Sequence, residues 1–201
     1  MYDVRALEFS DIRWGMGQDI SLKEFPSDYV VVDIETTGLS CDKNEIIELS
    51  ALKIVDGEIK SQFSELIKPK GHVSKFITNL TGITPQMLEN ASDIRETLVN
   101  FNEFCKDSVI LGHNVKFDLR FINANMQKHL DKPFENDFID TLKIARKFLS
   151  NLPSRRLGYL ADYFEFNSDG MHRALKDCVV TNLCYKKFLD LRDAASKEEV
   201  I

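Results

Sequence analysis

A mixed β-sheet flanked by helices, an α/β fold, is what this sequence predicts, and three observations carry the expectation. Apolar, β-rich segments come first, and two of them are joined by Asp56-Gly57, a strong hairpin signal. From Ser74 onward the texture turns to helical periodicity. Two short apolar segments then interrupt the helices, so a hairpin-linked set of strands is followed by strands alternating with helices, which implies a mixed five-stranded sheet.

In chain order, residues 1–27 lack clear periodicity, carry Gly15 and Gly17 beside the only tryptophan, and end in Pro26-Ser27-Asp28. They are expected to be an N-terminal extension to a domain spanning 28–193, with 194–201 as a C-terminal tail. Strands are predicted over Tyr29 to Ile34, Glu45 to Val55 and Glu58 to Ile67. Short helical pieces broken by Gly82 and Pro85 follow. Ser92 to Phe104 is amphipathic, with Ile94, Leu98, Phe101 and Cys105 on one face. Val109-Ile110-Leu111 reads as a buried strand, Lys116 to His129 as a helix, and Phe138-Ile139 as another strand. Helices near Thr141 to Leu149 and Leu157 to Phe164 lead to a long last one, Arg173 to Asp193.

The chain has 201 residues, enough for one full α/β domain and too few for two comfortable ones. No apolar run is long enough to span a bilayer, and the first residues have no signal-peptide pattern, so a cytoplasmic protein without membrane contact is expected. Cys41, Cys105, Cys178 and Cys184 form no C-x-x-C pair and are expected to be reduced thiols, mostly in the core. A net charge of -6 argues against a broadly basic nucleic-acid surface. Any such contact must be local. Two acid-free stretches could supply it, Leu66 to Leu88 with Lys68, Lys70 and Lys75, and Thr141 to Ala161 with Lys143, Arg146, Lys147, Arg155 and Arg156. Solvated helix faces and loops are an equal reading of each.

The chemistry centres on Asp33-Ile34-Glu35 at the end of the first strand. Side chains alternate along a strand, so Asp33 and Glu35 leave one face while Ile34 enters the core. Adjacent carboxylates repel unless a cation neutralises them, so the pair asks for a divalent metal, although acid-x-acid is also common at solvated sheet edges and helix caps. Gly112-His113-Asn114-Val115-Lys116-Phe117-Asp118 leaves the buried strand and puts Asp118 in the first turn of a helix, where the dipole favours a carboxylate in any case. His172 and Asp177 are five residues apart, about 140° around a helix, and cannot share one helical face. His172 is better placed on the loop, swinging over a site that Asp177 lines from the helix. A histidine, which titrates near neutrality, suits a mobile general base there, while a cap or surface group is the plainer alternative.

Together Asp33-x-Glu35, His113-Asn114-x-x-Phe117-Asp118 and His172-x-x-x-x-Asp177 resemble the three motifs of the DEDDh family of 3'→5' exonucleases. The likeness is strongest to the proofreading exonucleases of bacterial DNA polymerase III, epsilon or PolC-type, and extends from about Tyr29 to Leu189. Leu80-Thr81-Gly82-Ile83-Thr84, Asp140-Thr141-Leu142, Ala145-Arg146 and His172-Arg173-Ala174 add to it. The resemblance implies an RNase H-like fold and two Mg²⁺ or Mn²⁺ ions. Asp33 would bridge both, Glu35 and Asp177 would complete the first site, Asp118 would hold the second, and His172 would deprotonate the attacking water. Thr36, Thr37, Gly38 and Leu39 would meet the terminal nucleotide. His113, Asn114 and Phe117 lie near by motif position, with support of their loop as the alternative role.

The expected substrate is a single-stranded or frayed 3' end of DNA, cut to nucleoside 5'-monophosphates in proofreading, repair or end processing, with a polymerase as a possible partner. An exoribonuclease is the second enzyme reading, since RNA selection needs contacts to the 2'-hydroxyl that sequence does not place. A noncatalytic polymerase-docking module is the reading of another class, but a scaffold has no use for the full acidic set and histidine.

Overall fold

The computed structural model describes residues 17–198; the first sixteen residues of the expected N-terminal extension and the last three of the chain lie outside them. In chain order the elements are β1 (Tyr29–Thr36), β2 (Ile46–Val55), β3 (Glu58–Leu66), α1 (Lys75–Thr81), α2 (Pro85–Leu88) and α3 (Ile94–Cys105). They continue with β4 (Ile110–Gly112), α4 (Lys116–Leu130), β5 (Phe138–Asp140), α5 (Thr141–Phe148), α6 (Leu157–Tyr163) and α7 (Ala174–Glu198). The sheet order is β3-β2-β1-β4-β5, with β1-β2 and β2-β3 antiparallel and β1-β4 and β4-β5 parallel. It is the mixed five-stranded sheet that the sequence predicts.

The central position of β1 follows from its composition. Val30, Val31 and Val32 are fully buried, the pattern of a strand covered on both faces. Val30, Val32 and Ile34 pack with Leu98 and Phe101 of α3 and Leu119 and Ile122 of α4. Tyr29 and Val31 face the other way, with Leu111 and Ile139, onto Ile144, Leu160, Cys178, Tyr185 and Phe188 of α5, α6 and α7. A satellite cluster of Ile47, Val73, Ile77, Ile83 and Leu88 holds α1 and α2 to the rim. The edge strand β3 is largely exposed and charged, with Glu58, Lys60 and Glu65, which discourages pairing with another sheet.

Local signals stop the helices where they stop. Ser74 caps α1, whose Ile77 N–H donates to the Ser74 hydroxyl, and Gly82 ends it at φ 72°, a left-handed conformation that favours glycine. Pro85 occupies the first turn of α2 behind the Thr84 cap. α7 runs to Glu198, beyond the expected end at Asp193, because Ala194-Ala195-Ser196-Lys197-Glu198 contains no glycine or proline to break it. β1 likewise continues past Ile34 to Thr36 and so carries Glu35 within the strand.

The described part of the N-terminal extension joins the sheet. Asp19 bridges to Phe138 in parallel, the Phe138 N–H donates to the Gln18 carbonyl (2.9 Å), and the Ile20 N–H donates to the Phe138 carbonyl (3.0 Å). Ile20 and Ser21 are buried, and the Ser21 hydroxyl accepts the Asp140 N–H at 2.8 Å. The free edge of β5 is thereby covered.

Phe101, fully buried between Phe63 (5.9 Å between ring centroids) and Phe134 (5.6 Å), is the test of this packing. Phe101→Ala should destabilise the fold by roughly 3–5 kcal/mol in urea unfolding, and Phe101→Leu by clearly less.

Candidate active site

Strands β1, β4 and β5 run parallel, so their carboxyl ends open on one edge of the sheet, where α4, α5 and α7 begin. Asp33 and Glu35 continue the row of Tyr29 and Val31 and therefore point to the α7 side. Asp177 comes from the first turn of α7. Ligand oxygens of Asp33, Glu35 and Asp177 all lie within 4.8 Å of one another. Asp118 stands outside that trio but beside it. It is buried in the first turn of α4, and its Oδ1 accepts the Ile34 N–H at 3.2 Å, between the two β1 acids.

Crowding shows in the titration of these groups. Burial pushes Asp33 well above the usual carboxylate range, and the charges of Asp118, Asp177, Glu35 and Glu48 push it further. Asp118 is raised well above that range chiefly by burial, against hydrogen bonds from its own amide and that of Ile34. Glu35 moves to about 8, through burial and then through Asp177 and Glu48, with Arg173 opposing. Asp177 moves to about 6, through burial, opposed by the charge and backbone amide of His172. Its Oδ1 is buried and, among the described residues, accepts no hydrogen bond.

His172 is exposed and precedes α7, on the loop, at φ 65°, a left-handed conformation uncommon for a residue with a Cβ. Its neighbour Arg173 turns inward. The Arg173 guanidinium donates to both oxygens of Glu48 (2.7–3.2 Å), and the Ala174 N–H donates to Glu48 Oε2 at 3.0 Å. Glu48 is only 2% exposed and sits directly opposite Glu35 in the β1-β2 register, which shifts at a bulge just beyond. Sequence analysis missed this residue. Its one signal was a lone acid inside the apolar run of β2.

The loop after β1 folds back tightly. The Thr36 hydroxyl donates to the Gly38 carbonyl (2.6 Å), while Thr37 pairs twice with Glu45, its N–H donating to the Glu45 carbonyl (2.9 Å) and its hydroxyl accepting the Glu45 N–H (3.0 Å). A Cβ on Gly38 would sit 2.6 Å from the Asn44 side chain, so a larger residue there would displace that side chain from its hydrogen bond with the Ser40 N–H (3.0 Å). Leu39 stands 72% exposed at its tip.

Gly112 has the same role at the end of β4, where a Cβ would meet Val115 at 2.6 Å. Beyond it, His113 spends both ring nitrogens on the protein, Nδ1 on Thr141 Oγ1 (2.9 Å) and Nε2 on the Arg155 carbonyl (2.8 Å), and burial lowers its pKa to about 4. Asn114, at φ 63°, is exposed and donates its N–H to Asp140 Oδ1 at 2.9 Å. Asp140 also caps α5 and, like the others, is raised by burial. Phe117 is half-buried against Phe121, 5.1 Å between centroids.

A donor set made only of carboxylate oxygens, clustered against its own repulsion and with one buried oxygen unpartnered, fits a hard divalent cation such as Mg²⁺ or Mn²⁺. No helix among the described residues is long and apolar enough to cross a membrane.

Comparisons with known proteins agree with this architecture. The family model RNase_T, described as "Exonuclease", matches residues 30–185. DNA polymerase III subunit epsilon of Aquifex aeolicus (strain VF5) is 39% identical over 162 residues, 81% of this chain and 80% of that protein. DNA polymerase III PolC-type of Streptococcus pyogenes serotype M18 (strain MGAS8232) is 39% identical over 182 residues, 90% of this chain but 12% of that much longer protein. Exonuclease X, solved with 5' overhanging duplex DNA, superposes with a TM-score of 0.66 at 22% identity over 81% of this chain and 91% of that one. Escherichia coli exonuclease I, solved with a dT13 oligonucleotide, reaches 0.73 at 18% identity over 86% and 43%. These likenesses establish the RNase H-like fold, and the sequence matches go further: the chain belongs to the RNase_T exonuclease family, the DnaQ-like exonucleases.

Proposed function

We propose that this chain is a metal-dependent 3'→5' exonuclease that removes nucleoside 5'-monophosphates from DNA 3' ends, acting on single-stranded or frayed termini beside a DNA polymerase. The observation that carries the reading is the convergence of Asp33, Glu35 and Asp177 within 4.8 Å, with Asp118 behind them and His172 on the adjoining loop. DNA and a polymerase partner are supported by the 39% identity to a DNA polymerase III subunit epsilon and to part of a PolC-type DNA polymerase III.

Asp33, Glu35 and Asp177 would together hold one ion, and Asp33 with Asp118 would hold a second. Two Mg²⁺ or Mn²⁺ ions bound there would supply charge neutralisation, activation of the attacking water and stabilisation of the leaving 3'-oxygen. His172 accepts the proton of that water as it adds to phosphorus; the bond from phosphorus to the 3'-oxygen breaks, and that oxygen takes up a proton from solvent. Leu39, exposed at the tip of the β1-β2 loop, packs on the terminal base, with the Thr36, Thr37 and Gly38 backbone along the terminal nucleotide. Phe117 and Asn114 border the site on the α4 side, and His113, held at both nitrogens, keeps their loop in place.

Asp33→Ala should abolish cleavage of 5'-labelled DNA, with Mg²⁺ or Mn²⁺ alike; near-normal activity would remove the two-ion mechanism. His172→Ala should lower turnover by about 10²–10⁴-fold while calorimetry with Mn²⁺ still shows binding close to that of the natural chain. A collapse of metal affinity would make the histidine a ligand instead. Matched DNA and RNA oligonucleotides of one sequence decide the sugar, with faster release from DNA expected.

Metal binding should also rewrite the pH dependence of stability. Without metal, Glu35 and Asp177 titrate near 8 and 6 in the folded chain, against ordinary values of 4.5 and 3.8. The folded state then holds more protons than the unfolded one across that interval, so stability in EDTA should fall as pH rises from about 4 to about 8. Mn²⁺ binds the ionised carboxylates, so the gain in Tm on adding it should grow over the same window. A gain independent of pH would mean that the ion binds elsewhere.

A further inference from the structure

Across the β1-β2 loop from the acidic edge lies a groove of about 940 Å³, walled by that loop, the segment after β3, the start of α3 and the end of α4. Lysines from three of these elements converge on it: Lys43 from the loop, Lys68 and Lys70 from the β3-α1 connection, and Lys128 from the end of α4. Residues far apart in the chain thus bring four lysines against three carboxylates, a local positive balance in a protein whose net charge is -6. Lys70 and Lys128 are close enough to the half-buried His129 that both of their charges act on it.

Three carboxylates, Asp42, Glu45 and Asp93, also line the groove, and two of them are held by the protein's own amides. Glu45 takes the Lys70 and Gly71 amides (2.9 and 2.8 Å), and Asp93 caps α3 by accepting the Arg95 N–H at 2.8 Å. Lys68 donates to the Glu89 carbonyl (2.7 Å), while Lys43, Lys70 and Lys128 are exposed and belong to no ion pair among the described residues. Asn44 and Asn125 add uncharged polar groups to the lining. Such a surface is suited to a polyanion of extended shape rather than to a small apolar ligand.

We propose that this groove binds the phosphodiester backbone of the substrate strand upstream of its reacting 3' end, as single-stranded nucleic acid. Resting on the exonuclease reading, the assignment adds a second subsite on the far side of the loop that carries Leu39. The groove lies on the α3-α4 side of the sheet while Asp33 and Glu35 point to the α7 side, so a strand reaches it by crossing the β1-β2 loop, and there its phosphates replace the bulk counterions of Lys43, Lys70 and Lys128.

The test is the exposed double variant Lys70→Glu/Lys128→Glu, with Lys70→Gln/Lys128→Gln as its milder form. On a single-stranded oligonucleotide of about 20 residues, KM should rise on the order of tenfold with kcat within about twofold, and the salt dependence of KM should flatten, because a single strand gives a slope of about 0.7 per phosphate contact. Turnover of the small chromogenic ester thymidine 5'-(p-nitrophenyl phosphate), which reaches only the acidic edge, should not change. Unchanged KM on the long strand, an equal loss on the small ester, or a loss confined to blunt duplex substrates would each overturn the assignment.

Fluorescence anisotropy of a labelled single strand in EDTA, where nothing is cleaved, reads the groove without catalysis. Weaker binding by the double variant supports it even if neither DNA nor RNA is cleaved with Mg²⁺ or Mn²⁺ present, in which case the exonuclease reading alone fails.

Discussion

Everything at the working edge of this molecule depends on holding like charges together. Asp33, Glu35, Asp118 and Asp177 repel one another, and burial raises the cost of ionising each of them. No local interaction would assemble them. What does is apolar packing elsewhere: β1 is locked between two hydrophobic layers through Val30, Val31 and Val32, so the side chains at its carboxyl end have no freedom to diverge. The parallel pairing of β1 with β4 then brings the start of α4, and Asp118 with it, to the same edge. The repulsion is stored by the fold and is available to any divalent ion that neutralises it.

The Glu48–Arg173 pair manages that repulsion. Glu48 lies opposite Glu35, and like charges facing each other across two strands are destabilising. Arg173 answers with a forked contact to both Glu48 oxygens and also opposes the rise in the Glu35 pKa. Through the Ala174 amide the same carboxylate fixes the first turn of α7. One ion pair thus anchors the start of α7, from which Asp177 reaches the acidic cluster. Because Glu48 is buried, loss of Arg173 would strand a charge beside the site, so the pair acts as a unit.

What the sequence made legible was whatever depends on short-range periodicity. Alternation put Asp33 and Glu35 on one face, Asp56-Gly57 marked the hairpin, and the five-residue spacing of His172 and Asp177 separated loop from helix, as the structure has them. Contacts between distant segments were not legible. The partners of His113 lie 28 and 42 residues away, and Glu48 meets Arg173 across 125. The docking of Gln18 to Ser21 on β5 depends on an open sheet edge that no local pattern announces. Lys68 and Lys70 were noted as a local basic stretch; their union with Lys128 required the fold.

An acidic protein that handles nucleic acid needs attraction at the right place and repulsion elsewhere. The β1-β2 loop divides the two. Thr36 to Leu39 follow directly on Glu35 of the carboxylate cluster, which attracts phosphate only through bound cations, while Lys43, from the far half of the loop, walls the basic groove. The loop keeps this double-sided shape because Thr37 and Glu45 lace its base and Asn44 packs against Gly38 across it. A shorter connection would merge the two surfaces, and lysines beside the carboxylates would compete with the ions for them. Separation by one rigid turn lets a local positive surface hold the strand without neutralising the acids that recruit the metal.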